Sequence, residues 1–143
     1  MRIVVDSSVV VAALVTPNPE SASRIIVRAV AAGTVDLVVT AELEAEYRRA
    51  VEYPQVRRYA PRGGRQAFVD AIVATAEHIA GLPTSASVPV PADPDDEKIV
   101  AAALGGGAEA IVTLDRDLLD MRSVGSVRIL RPGDFLQVLR SRS

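Results

Sequence analysis

The chain has 143 residues, of which 49% are hydrophobic and only 3% aromatic, with no cysteine and a formal net charge of −2. That length supports one domain, expected over residues 1–143, with one core built from Val, Ala, Leu and Ile. The composition excludes disulfides and thiolate metal sites. It offers no apolar run of about 18 residues that would span a membrane, and no global electrostatic pull toward nucleic acid.

The opening stretch MRIVVDSSVVVAAL places a β-branched run, Arg2 to Val5, before a charge, Asp6, and a second apolar run. The first run is read as a buried strand rather than a signal peptide, and the expected compartment is the cytoplasm. Ser7 or Ser8 can cap a helix that carries Val9, Val10, Ala13 and Leu14. TPNPE breaks it. SASRIIVRAVAAG reads as a second helix ended by Gly33. Asp36 to Val39 is a second strand, and Thr40 caps a third helix that runs to about Val51, short of Pro54. GGRQAFVDAIVATAEHIAG reads as one long amphipathic helix ended by Gly81, with His78 inside it. SASVPVP is an edge strand or an extended loop. Asp93 as N-cap and Pro94 as first helical residue open a further helix, with Asp96 as its third residue. It closes at LGGGAE. AIVT and SVRIL are strands, and Pro132 starts the last helix.

Strands alternating with helices predict an α/β fold, a parallel sheet with helices on both faces. Such sheets bind ligands at the carboxyl ends of their strands. That edge collects acids: Asp6 after the first strand, Asp115 and Asp117 after AIVT, and Asp93, Asp95 and Asp96 in the connection before a helix. Ile99, Val100 and Ala103 share the face of Asp96, which aims Asp96 inward, while Asp95 and Glu97 turn about 100° to either side. Each acid alone has an ordinary use in a turn or a first helical turn. Gathered together they repel and raise one another's pKa, a cost that a bound cation offsets. Carboxylates without Cys, and with a lone His, suit Mg²⁺ or Mn²⁺. Such ions activate water and neutralise charge at phosphorus. In TAELEAEYRRAV, Glu44 and Glu46 flank the apolar stripe of Leu43, Tyr47, Ala50 and Val51 at similar angles, and periodicity does not choose between them. The stretch RRAVEYPQVRRYAPRGGR gathers Arg48, Arg49, Arg57, Arg58, Arg62 and Arg65 with a single acid, Glu52. It is either a solvated face or a phosphate-binding flank.

In order along the chain, MRIVVDSSVVVAAL, VVTAELEAEYRRAVEYPQVRR, DPDDEKIVAAALGGGAEAIVTLDRDLL and the closing VRILRPGDFL resemble the PIN-domain family, in particular its VapC-like ribonuclease branch of toxin–antitoxin toxins. The resemblance implies a three-layer α/β/α sandwich with a central, mainly parallel sheet. It implies a metal-dependent endoribonuclease whose catalytic acids are Asp6, Glu46, Asp96 and Asp115. Asp6, Asp96 and Asp115 would hold Mg²⁺ or Mn²⁺, and Ser8, Thr113 and Asp117 would be accessory. Ser8 stands where many relatives carry Asn. The implied partners are RNA, a cognate antitoxin protein and a second copy of the chain, with no membrane. A haloacid dehalogenase phosphatase needs an acid where Ser8 stands, and a receiver domain needs a lysine after a late strand, whereas the only lysine, Lys98, lies early in a helix. The remaining alternative is an inactive PIN-like module that binds RNA or protein without cutting.

Overall fold

Five short parallel strands set side by side decide where the acids meet. The computed structural model describes residues 1–81 and 96–142. Strands β1 (Arg2–Val5), β2 (Asp36–Val39), β3 (Glu77–His78), β4 (Ala110–Val112), β5 (Ser123–Val124) and β6 (Val127–Leu130) form one sheet in the order β3-β2-β1-β4-β6-β5. All pairs are parallel except β5 with β6. The central strands show no apolar–polar alternation, because both of their faces are covered: Ile3, Val4 and Val5, and likewise Ala110, Ile111 and Val112, are all inside.

Helices cover the sheet in a three-layer α/β/α arrangement. They are α1 (Ser7–Val15), α2 (Ala22–Ala31), α3 (Ala41–Ala50), α4 (Pro54–Arg57), α5 (Arg62–Val73), α6 (Glu97–Gly106), α7 (Arg116–Met121) and α8 (Pro132–Ser141). Side chains of Ser21 and Thr40 accept the backbone N–H of Arg24 and Leu43 at the starts of α2 and α3. Gly33, at φ 77°, lies just beyond α2 in the left-handed region that an L side chain resists. The core is aliphatic as composition demands; Tyr47 and Phe135 are its largest members.

Two local expectations are corrected. The long helix ended by Gly81 is shorter: α5 stops at Val73, and His78 lies in β3 rather than within a helix. Thr75 Oγ1 donates to the Val30 carbonyl at 2.8 Å, which pulls the chain off the helical path. Glu77 and His78 then pair with Val38 and Val39, satisfying an edge of β2 that would otherwise be open. Neither Ser7 nor Ser8 is the cap of α1; both are inside the helix and Asp6 holds the N-cap position. Asp96 has helical backbone angles, φ −82° and ψ −8°, directly before α6. Asp93, Asp95, Pro94 and the SASVPVP stretch lie outside the described residues. The short elements α4 and β5 carry no periodic signal that predicts them. Among the described residues, no helix is long and apolar enough to cross a membrane.

Candidate active site

The sheet reverses its winding between β1 and β4, and the carboxyl ends of those two strands carry Asp6 and Thr113-Leu114-Asp115. The Asp6 N–H donates to the Val112 carbonyl at 2.9 Å, which ties the two strand ends together. The Asp6 side chain makes no capping bond to α1. Instead Ser8 Oγ donates to Asp6 Oδ2 at 2.6 Å, and Thr113 Oγ1 donates to the same oxygen at 2.8 Å. Each hydroxyl in turn accepts a backbone N–H, Ser8 from Leu114 at 3.1 Å and Thr113 from Asp115 at 2.9 Å. A hydroxyl that already accepts an N–H has its proton left to give, so both protons are aimed at Asp6. The carboxyl is buried, at 8% exposure. Burial pushes its pKa up, the two hydroxyls pull it back, and the charge of Asp115 adds to the rise.

Asp115 is the N-cap of α7 and accepts the Asp117 N–H at 2.9 Å. Asp117 is itself exposed and stands outside the pocket lining. Asp96, at the start of α6, is also only 8% exposed, and the buried Ile99 and Val100 confirm the phase that turns it inward.

The choice between Glu44 and Glu46 is made by their neighbour. The Tyr47 hydroxyl donates to the Val5 carbonyl at 2.5 Å, fixing the rotation of α3 against β1. Burial drives that phenol's pKa far above its ordinary value. With Tyr47 so held, Glu46 faces the pocket while Glu44 pairs with Arg48 at 3.2 Å. Glu46 Oε2 accepts from Arg49 at 2.7 Å and from Lys98 at 3.0 Å. Burial acts to raise its pKa, but the hydrogen bonds and charges of Lys98 and Arg49 outweigh it and hold the carboxyl below its usual range.

Asp6, Ser8, Glu46, Asp96, Lys98 and Asp115 thus line one pocket of about 510 Å³. Val11, Leu43, Ala50 and Tyr53 supply its apolar wall. Among the described residues no three His, Asp or Glu side chains converge closely enough to ligate a single ion. The oxygen-only donor set nonetheless fits a hard cation that bonds one or two carboxylates directly and keeps several waters. It does not fit a closed cage.

The arginines divide. Arg65 is 5% exposed and spent on Glu52 at 2.8 Å and on the carbonyls of Arg57 and Ala60. Arg48 pairs with Glu44 and with Asp70 at 2.9 Å. Arg49 sits on Glu46. Arg57 and Arg58 are exposed on and just after α4, with the Arg58 guanidinium 5.3 Å from the centre of the Tyr59 ring. Arg62 is the first residue of α5. His78 is exposed, 3.9 Å from Glu44, and not part of the pocket. Sequence reasoning does not single out Lys98 or Tyr53 as site residues; the signal for Lys98 is a sole lysine two residues after Asp96.

No curated protein sequence matches the chain. A solved structure, that of VapBC2 from Rickettsia felis bound to a DNA fragment from their promoter, contains a chain of the same fold, with a TM-score of 0.55 at 13% identity, covering 92% of this chain and 98% of that one. The family model of the PIN domain matches residues 2–117, a stretch that holds all four pocket acids and ends before β6. Over most of its length, then, the chain follows that model, and it belongs to the PIN-domain family.

Proposed function

We propose that the protein is a metal-dependent endoribonuclease and the toxin of a type II toxin–antitoxin pair. The observation that carries this reading is the meeting of Asp6, Glu46, Asp96 and Asp115, from four separate segments, on one pocket wall at the switch point of the sheet. Membership of the PIN-domain family supports nuclease chemistry. Asp6, Asp96 and Asp115 would hold Mg²⁺ or Mn²⁺, one or two of them directly and the rest through its waters, and the ion when bound supplies an activated water and charge neutralisation at phosphorus. The chain's own part is orientation. Ser8 and Thr113 fix one oxygen of Asp6, and Asp117 supports Asp115 through its N–H. Arg57 and Arg58 would hold RNA phosphates, with Arg62 a further candidate; Arg65, Arg48 and Arg49 serve internal ion pairs first.

The likeness in fold to a chain of the VapBC2 complex supports an antitoxin partner. A homodimer belongs to the same reading and is checked by light scattering. The second reading is a PIN-like module that binds without cutting, favoured by the lack of a convergent ligand triple among the described residues. The deciding experiment is cleavage of a mixed RNA pool by the purified chain in Mn²⁺ or Mg²⁺, with EDTA, Asp6→Asn and Asp96→Asn as controls. Metal-dependent cutting lost in both variants is expected. Mn²⁺ bound equally by wild type and variants, with no cutting, would favour the binding module.

A further inference from the structure

Four carboxylates line the pocket, and among its described lining residues a single side chain, Lys98, is cationic. It is also the sole lysine of the chain. It occupies the second position of α6, where the positive end of the helix disfavours a cation. Its ammonium crosses 52 residues of sequence to reach Glu46. A placement that opposes the local field and points into the pocket needs a reason outside helix formation.

The partners of the acids supply one. Asp6 is held by two neutral hydroxyls, so its charge remains for an incoming cation. Glu46 Oε2 is held by two cations, Arg49 and Lys98, and its charge is already matched. An ammonium has three protons, of which Glu46 takes one. A phosphodiester entering among four carboxylates meets repulsion that a metal alone must offset, unless a cation of the chain shares the work.

We propose that Lys98 contacts the RNA phosphate in the pocket, and that Glu46 is a positioning residue that holds the Lys98 ammonium there instead of ligating the metal. The inference rests on the nuclease reading and deepens it.

The test uses the full chain as wild type, Lys98→Met, Lys98→Arg, Glu46→Gln and Asp6→Asn. Mn²⁺ binding is measured directly, and inorganic phosphate is titrated into the Mn²⁺-loaded protein while ³¹P relaxation reports phosphate beside the ion. Lys98→Met should bind Mn²⁺ as wild type does and hold phosphate about 10- to 100-fold more weakly, the scale of one charge-assisted hydrogen bond. Lys98→Arg should recover most of that loss. Glu46→Gln should keep Mn²⁺ and lose phosphate affinity by a smaller factor. Unchanged phosphate affinity in Lys98→Met overturns the proposal, as does loss of Mn²⁺ in Glu46→Gln to the extent seen in Asp6→Asn. If the wild type itself binds no Mn²⁺, the metal reading fails separately. Lys98 is then decided by binding of single-stranded RNA in EDTA at low salt: weaker binding by Lys98→Met supports it, equal binding overturns it.

Discussion

Thr113 Oγ1 donates to Asp6 Oδ2 at 2.8 Å across 107 residues of sequence, and accepts the Asp115 N–H at 2.9 Å. One buried hydroxyl therefore couples the two strand ends that carry the acids. Thr113→Val keeps the shape of the side chain and removes both bonds. It leaves a charged acceptor and a backbone donor short of a partner, so a loss of about 2 kcal/mol is expected in urea unfolding. Mn²⁺ affinity should fall as well, because the Asp6 carboxylate is no longer held in one rotamer. Full stability in this variant would show that Ser8 alone orients Asp6.

Asp6→Asn should stabilise the metal-free protein at neutral pH. The folded-state pKa of Asp6 is raised, first by burial, so the folded chain binds this proton more tightly than the unfolded chain. Stability contributed by the group then falls as pH rises from the ordinary Asp value of about 3.9 through the raised folded value, and the deficit is complete above it. In EDTA at pH 8 the variant should melt higher than wild type, and the gap should close in acid. Glu46, whose pKa is depressed, is present in both proteins and cancels from the comparison. Added Mn²⁺ should raise the Tm of wild type alone. A lower Tm for Asp6→Asn at pH 8 would mean that its hydrogen bonds outweigh its burial.

Gly106 ends α6 where that helix lies on β2. A Cβ there would collide with Val38 Cγ1 and press on Ile79, and the Gly106 carbonyl accepts from the Arg2 guanidinium. Gly106→Ala should cost about 1–3 kcal/mol by overpacking, against the mild gain that alanine gives in an open helix. The displaced α6 carries Asp96 and Lys98 at its other end, so metal and phosphate binding should weaken together. Gly63→Ala, with nothing within 4 Å of the added Cβ, is the neutral control.

The elements whose signal is local can be read from the sequence. β1, β2 and β4 announce themselves as short apolar runs, and the rule for parallel sheets places the acids that follow β1 and β4. What depends on a partner far away cannot be read. β3 is two residues long, and only the open edge of β2 makes it a strand. The choice of Glu46 over Glu44 depends on the bond from Tyr47 to Val5, which no helical period reveals. The burial of Arg65 depends on Glu52, 13 residues earlier, and on carbonyls of the turn after α4.

The arginines offer a last separation, between holding the fold and holding RNA. Arg65 pairs with Glu52 almost out of contact with water, and Gln66 Nε2 donates to the same carboxylate at 2.9 Å. Glu52 is about a quarter exposed and keeps Gln66, but the carbonyls of Arg57 and Ala60 lose their donor and the buried arginine stem its place, so Arg65→Met should cost about 1–3 kcal/mol. The Arg58 guanidinium lies over the exposed ring of Tyr59, and Arg57 holds the carbonyl of Glu52 at the surface. Arg57→Ala with Arg58→Ala should leave stability within about 0.5 kcal/mol of wild type. If those two groups meet phosphates, the double variant should bind single-stranded RNA more weakly, and the slope of log K against log salt should drop by about 0.7 for each lost contact. An unchanged slope would take RNA off this face. A slope that falls in Arg65→Met but not in the double variant would mean that the buried pair opens to receive the substrate.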